Sequence, residues 1–122
     1  MVLTEKKDKI LIYGGISGNR LNDLWMIDLS KEKLEYTLLS ADNNNTIPNN
    51  RSCVMATFYD DYFYIFGGLK SDGGLENDLC RYGPFSSEHK NWERVKTFGN
   101  FIFFIFLFYF FYLIIFLLFF IK

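Results

Sequence analysis

The residue types that most often perform catalysis or bind metals are few in this sequence and lie far apart. The single histidine, His89, lies in a polar stretch, and Cys53 and Cys80 are separated without a Cys-x-x-Cys or Cys/His spacing. A zinc site or a histidine-based catalytic group needs several such partners at short range. The spacing therefore predicts no metal site, and both thiols are interpreted as buried side chains on strands.

Two other stretches resemble chemical sites only superficially. Asp60 and Asp61 are adjacent carboxylates, but between two apolar runs they are typical of a hairpin turn that directs side chains into water. The string Ser-Asp-Gly-Gly at 71–74 is not followed by the helix start that a phosphate-binding loop requires. We therefore expect no catalytic residue and no cofactor, which predicts that the chain is not an enzyme.

The overall charge gives no indication of a nucleic-acid partner. The 122 residues contain 13 Lys and Arg against 14 Asp and Glu, for a formal net charge of −1. Binding to a polyanion depends on an excess of basic residues, which this composition lacks. We therefore expect no nucleic acid among the partners.

One short pattern occurs twice along the chain. ILIYGG at 10–15 and YIFGG at 64–68 are offset by 53 residues, an offset that also aligns Thr4 with Thr57. A polar loop follows each glycine pair, and then comes Asn-Asp-Leu, at 22–24 and again at 77–79. Length variation confined to loops is typical of one supersecondary unit used twice.

The units consist of short runs that favour β-structure. Residues 52–59 and 62–66 are β-branched and aromatic, and the turn at Asp60 and Asp61 separates them. The glycine pair is expected to end the second strand, because it permits positive φ and close approach of a neighbouring strand. Third and fourth strands are predicted at 24–29 and 34–40, and at 78–82 and 91–96. The pattern predicts an all-β chain in which each unit is a four-stranded antiparallel meander.

These features resemble the kelch repeat of β-propellers. The resemblance rests on the hydrophobic run before Gly-Gly, on Asn-Asp-Leu-Trp at 22–25, on an aromatic in strand four and on Pro-x-x-Arg at 48–51. The second unit departs from the pattern with Cys80 in the position of Trp25, and Gly83-Pro84 predicts an irregular edge. The motif residues implied by the resemblance are Gly14, Gly15, Asn22, Asp23, Trp25, Gly67, Gly68, Asn77, Asp78 and Trp92.

The resemblance implies about two blades of an incomplete propeller. Kelch unit 1 is placed at 1–47, with its first strand truncated, and kelch unit 2 at 48–98, followed by a hydrophobic segment at 99–122. Propellers close with four to eight blades, so two blades leave two open faces. We therefore expect a fragment of a larger propeller, which needs further kelch blades in cis or in trans.

The function that the resemblance implies is that of a protein-interaction scaffold or adaptor. The sequence shows no set of copper ligands like that of the kelch-type oxidase, so no catalytic residue is transferred. Arg20, Lys70 and Asp72 are candidate contacts to a protein partner, on loops predicted between the second and third strands; solvated loop charges are the other interpretation. The alternative function is a truncated piece of a kelch-type enzyme, or of a multidomain protein whose catalytic part is missing.

The apolar stretch at 101–121 has two interpretations, and both remain open. It contains no charge, glycine or proline, and a helix of this length spans about 30 Å, the thickness of a bilayer core. Lys90, Arg94 and Lys96 precede it, which predicts a single-pass membrane protein with a cytosolic N-terminal part. Alternatively, its Phe-rich composition matches translated A/T-rich intron or frameshifted sequence, and the protein would then be cytoplasmic.

Overall fold

The computed structural model describes residues 1–40 and 48–97, in which all regular elements are strands. The strands are β1 (Val2–Leu3), β2 (Lys9–Ser17), β3 (Asn19–Asp28), β4 (Glu35–Ser40), β5 (Arg51–Ser52), β6 (Met55–Tyr59), β7 (Tyr62–Lys70), β8 (Leu75–Gly83) and β9 (Asn91–Arg94). In these two ranges no helix has the length and apolar character needed to span a bilayer. The predicted membrane segment at 101–121 lies outside the described residues.

The strands form two antiparallel sheets, one for each repeat. Unit 1 has the order β1-β2-β3-β4, and in unit 2 both β5 and β6 pair with β7, which is followed by β8 and β9. For the described residues this arrangement confirms the predicted all-β fold of antiparallel four-stranded units, with the first strand of unit 2 divided into β5 and β6. The first strand of unit 2, predicted as continuous, is broken at Cys53, where φ is +56°. The prediction that Cys53 is buried is therefore wrong, because its thiol is exposed, whereas Cys80 is fully buried.

The hairpin between β6 and β7 turns at the two predicted aspartates. Asp60 and Asp61 have φ of +47° and +68°, as a two-residue turn that matches the twist of its strands requires. The corresponding loop of unit 1 is two residues longer, since Val2 pairs with Leu11 whereas Thr57 pairs with Tyr64. Thr57 therefore corresponds to Val2, and its predicted alignment with Thr4 is wrong.

The glycine pairs interrupt the strands but do not end them. Strands β2 and β7 continue beyond the pairs, and their register against the next strand shifts between Tyr13 and Gly15 and between Phe66 and Gly68. Each pair is thus a β-bulge rather than the predicted strand end, because the extra residue is accommodated at positive φ and pairing resumes. The expected close approach is present at Gly14, where an added Cβ would lie 2.5 Å from the carbonyl oxygen of Arg51.

The two sheets pack against each other and bury opposite faces of the repeated unit. Unit 1 buries Leu11 and Tyr13 of β2, whereas unit 2 buries Phe63 and Ile65 of β7. Side chains alternate between the two faces along a strand, and Ile12 corresponds to Ile65. The residues buried in unit 1 therefore lie on the face opposite to the one that is buried in unit 2. The core therefore lies between the sheets, and each sheet has a second face outside it.

An aromatic cluster occupies the centre of this interface. The ring of Trp92 lies 5.3 Å from the rings of Tyr13 and Tyr82 and 6.1 Å from that of Phe63, measured between centroids, in tilted or edge-on geometry. Such geometry is favourable between aromatic rings and adds to the burial of apolar area. The Tyr82 hydroxyl donates a hydrogen bond to the carbonyl of Leu39 across the interface, at 2.9 Å. Packing of the two sheets therefore depends on residues from both repeats.

Replacing Gly14 with alanine is expected to lower the free energy of unfolding by about 3 kcal/mol, from strain at positive φ and from the clash with Arg51. Gly18→Ala is the matched control, since Gly18 also has positive φ, +73°, but an added Cβ would meet nothing within 4 Å. The control should lose only about 1.5 kcal/mol, from the positive φ alone. Urea unfolding of both variants measures the difference, and equal losses would contradict the steric role of Gly14.

Candidate interaction surface

Arg51 is a fully buried charged side chain at the start of unit 2, with 0% of its surface exposed. Its Nη1 donates to the carbonyl of Gly67 at 3.0 Å and to Asp78 Oδ1 at 2.5 Å, and its Nε donates to Asn49 Oδ1 at 2.9 Å. A buried guanidinium is stable only when its donors are satisfied in this way. Arg51 therefore joins β5 to the glycine bulge of β7 and to β8.

Asp78 is the counter-charge of this cluster. Burial alone would raise the pKa of its carboxyl group, but the hydrogen bonds and charge of Arg51 hold that pKa below its usual value. Arg94 Nη2 donates a further hydrogen bond to Asp78 Oδ2 at 3.1 Å. The Asp of the second Asn-Asp-Leu triplet is therefore a structural anion that positions β5, β8 and β9.

The first triplet supports the connection between the units. Asp23 accepts a hydrogen bond from Trp25 Nε1 at 2.7 Å, and Asn22 is buried with its Nδ2 3.5 Å from the carbonyl of Pro48. The Tyr13 hydroxyl donates to the carbonyl of Asn49 at 3.1 Å, and burial raises its pKa. In the second triplet Asn77 is exposed, so the two asparagines occupy different surroundings.

The turn between β2 and β3 in unit 1 and the turn between β7 and β8 in unit 2 lie at one end of the molecule, beside β5. Arg20 Nε donates to Ser52 Oγ at 2.9 Å, and Asn50 Nδ2 donates to the Arg20 carbonyl at 2.9 Å. On the other side of β5, Arg51 pairs in register with Lys70. Strand β5 thus brings the predicted contact residues of both units to one surface. We name this surface the loop end and define it as Ile16, Arg20, Lys70, Asp72 and Leu75.

The charged residues of the loop end lie at strand ends and in a turn, where they interact with neighbouring groups. Arg20 and Lys70 lie at strand ends rather than on the loops where they were expected, and Asp72 lies in the turn. Lys70 Nζ is 3.7 Å from carboxylate oxygens of both Asp72 and Glu76. The backbone N–H of Gly74 donates to Asp72 and lowers the pKa of its carboxyl group. The surface thus presents positive and negative groups side by side.

Two large apolar side chains flank these charges, and sequence reasoning missed both. Ile16 is 63% exposed and Leu75 is 80% exposed. Their only sequence signal is an apolar residue next to a glycine-containing turn, which is too common to identify a contact site. Exposed apolar side chains beside charged groups are the ordinary composition of protein contact surfaces. Among the described residues, no group of three His, Cys, Asp or Glu side chains could hold a metal ion.

A cleft of about 630 Å³ opens between the units at the opposite end. Its apolar walls come from Met26, Leu39, Phe58 and Phe85. Charged groups at its rim are engaged locally, since Glu5 accepts a hydrogen bond from the backbone of Asp60 and Asp61 accepts one from Ser86. Lys6, Lys9 and Lys90 also line this cleft, so charged and apolar groups occur at both ends of the molecule.

Comparison with known proteins identifies the family. A family model described as the KLHDC2/KLHL20/DRC7 Kelch-repeats domain matches residues 1–102. Because this match covers more than half of the chain, the chain belongs to the kelch-repeat family, and the resemblance of its motifs to kelch repeats is confirmed.

Several curated proteins are similar to parts of the chain. Host cell factor 1 of Rattus norvegicus is 42% identical over 71 residues, which cover 56% of this chain and 3% of the relative. Host cell factor 2 of Homo sapiens is 37% identical over 67 residues, covering 52% and 8%. Leucine-zipper-like transcriptional regulator 1 of Mus musculus is 32% identical over 95 residues, covering 77% and 11%. The chain thus spans only a small part of the length of these relatives.

Replacing Asp78 with asparagine is expected to lower the free energy of unfolding by about 3 kcal/mol at neutral pH, because Arg51 loses its buried counter-charge. Folding lowers the pKa of Asp78, so its contribution is full above the ordinary value of 3.8 and is lost as pH falls through the folded value. The variant should therefore lack part of the loss of stability that the parent shows in acid.

Urea unfolding between about pH 2 and pH 7 measures this difference. The matched control is Glu35→Gln, which removes the exposed pair between Lys31 and Glu35 and should leave the urea midpoint unchanged. An Asp78→Asn variant as stable as the parent at neutral pH would contradict the structural role of the buried pair.

Proposed function

We propose that this kelch-repeat chain is a non-catalytic protein-interaction module that contacts its partner through the loop end. The observation that supports this proposal best is the position of Ile16 and Leu75, two exposed apolar side chains from different repeats at one end of the fold. Strand β5 and its contacts to Arg20 and Lys70 hold both hairpins there. A rigid sheet scaffold with variable loops at one end is a common arrangement for binding.

The chemistry of the loop end favours a particular class of partner segment. Arginine is among the residues that contribute most to binding free energy in many protein interfaces, and apolar side chains add the burial of their surface. Arg20 and Lys70 supply positive charge beside Ile16 and Leu75, while Asp72 is the exposed anion. The preferred partner is therefore a protein segment with an apolar side chain next to a carboxylate, which the two basic groups would attract and orient.

A photo-crosslinking amino acid in place of Leu75 is expected to capture a protein partner in cells. Lys70→Glu on the same chain should reduce that capture about tenfold. The reason is that it places a negative charge opposite the partner's carboxylate. Mass spectrometry of the crosslinked product identifies the partner. The matched control is the same photo-crosslinker at Leu34, which is also exposed but lies in the turn between β3 and β4 at the opposite end. Equal capture at both positions, unaffected by Lys70→Glu, would refute a partner site at the loop end.

We also propose that residues 101–121 tether this module to a membrane with the loop end in the cytosol. The support is the uninterrupted run of 21 apolar residues and the basic residues that precede it. The full chain is then expected to remain in the membrane pellet after alkaline carbonate washing. A variant with Lys in place of Phe110 and Leu113 should be released, because charges at the centre of a span are costly. Release of the parent chain into the supernatant would contradict the tether.

A further inference from the structure

We propose that a second copy of this chain docks on the first in a head-to-tail manner, so that the outer sheet face of unit 1 in one copy covers the outer sheet face of unit 2 in the other. The argument rests on the packing between the two units of a single chain. It is independent of the loop end and of the membrane tether. Under this inference, a further copy of the chain supplies a kelch blade in trans.

The outer face of unit 1 matches the buried face of unit 2 position by position. We name this surface free face 1; its members are Leu3, Ile10, Ile12, Trp25, Ile27 and Tyr36, which neighbour one another across β1 to β4. The strand registers place them at the positions of Phe58, Phe63, Ile65, Cys80, Tyr82 and Trp92 in that order. All six counterparts belong to the interface between the units. Free face 1 therefore has the apolar character of a face that packs on another sheet.

The outer face of unit 2 matches the buried face of unit 1 in the same way. We name this surface free face 2; its members are Thr57, Tyr64, Phe66 and Leu79, which neighbour one another across β6 to β8. Their counterparts in unit 1 are Val2, Leu11, Tyr13 and Leu24, which pack in the interface. An apolar hollow of about 210 Å³ lies on this face. The two free faces thus reproduce the two halves of an interface that the chain already forms.

Free face 1 is partly open to solvent in the single chain, because Leu3 and Tyr36 are exposed and its other members are half-buried. Tyr36 is 71% exposed, whereas its counterpart Trp92 lies among the rings of Tyr13, Phe63 and Tyr82. If the internal packing is repeated between copies, Phe66 of one copy takes the place of Tyr13 and contacts Tyr36 of the other. Removing large aromatic surface from water is the main source of free energy for association.

Free face 2 also contains one charged pair, Arg81 and Glu93, because Arg81 pairs in register with Tyr64 on one side and with Glu93 on the other. Arg81 takes the position of Met26, and its guanidinium lies 4.2 Å from the centre of the Tyr62 ring and pairs with Glu93. Its charge is therefore already compensated within the sheet. Free face 1 of one copy packs on free face 2 of another, and the two faces are different surfaces. The expected contact is therefore heterologous rather than two-fold symmetric. Each added copy leaves one free face at either end, so association continues until a ring closes.

The test is a mixing experiment with two variants of the full chain in one nonionic detergent. Tyr36→Glu blocks free face 1 and Thr57→Glu blocks free face 2, and both residues are exposed in the single chain, so folding should persist. Native mass spectrometry is expected to show oligomers of the parent and monomers of 14.5 kDa for each variant alone. An equimolar mixture should form a 1:1 dimer that does not grow, because one intact face remains on each partner.

Three controls keep the result interpretable. Leu75→Glu changes the loop end and should associate like the parent, which separates this inference from the proposed function. Near-UV circular dichroism of each variant should match the parent, since the aromatic cluster around Trp92 reports on packing of the units. Leu3→Glu and Met55→Glu, which alter the same two faces at other exposed positions, replace any variant that does not fold.

Several outcomes would overturn the inference. A parent chain that stays monomeric up to about 100 µM would show that no second copy binds. A monomeric parent that nevertheless binds a kelch unit from a different protein would assign the free faces to another occupant. Oligomers that persist in both variants would locate association elsewhere on the chain. Loss of association with only one of the two variants would indicate a symmetric contact in place of the head-to-tail one.

Discussion

The buried guanidinium of Arg51 is the interaction on which the other features of this structure depend. It binds Asn49, the carbonyl of Gly67 in the bulge of β7 and the carboxylate of Asp78, and its own carbonyl lies against Gly14 of the other repeat. The side chain of Arg51 thus joins β5 to the bulge of β7 and to β8, while its backbone carbonyl lies at the closest approach of unit 1. A buried charge pair contributes little net stability compared with apolar packing, but it permits few alternative arrangements.

Packing of the two repeats follows from this geometry. With the backbone of Arg51 against Gly14, the faces that contain Tyr13 and Trp92 are opposed, and the aromatic cluster forms between them. The same sheet unit is used twice, but one copy buries Leu11 and Tyr13 and the other buries Phe63 and Ile65. A repeat that is apolar on both faces can pack on either side, and this property makes the exposed outer faces suitable for a further sheet.

The loop end is a consequence of the same framework. The short strand β5 lies between the two repeats, pairs with β7 and contacts Arg20 through Ser52, so the hairpin of each unit is held next to that of the other. Binding residues on turns gain precision when the strands beneath them are rigid. The division of the chain into a packed interface and an exposed loop surface therefore allows the proposed contact residues to vary without disturbing the core.

Local pattern in the sequence was sufficient to predict the β class, the two repeats and the turn at Asp60 and Asp61, because these depend on residues near one another in the chain. The tertiary structure decided that the glycine pairs are bulges, since pairing beyond Gly68 depends on β8, and that Cys53 is exposed at a break in its strand. It also decided the partnership of Arg51 with Asp78. Above all, it decided which face of each repeat is covered. Alternation along a strand marks two faces, and only the position of the neighbouring sheet selects one of them.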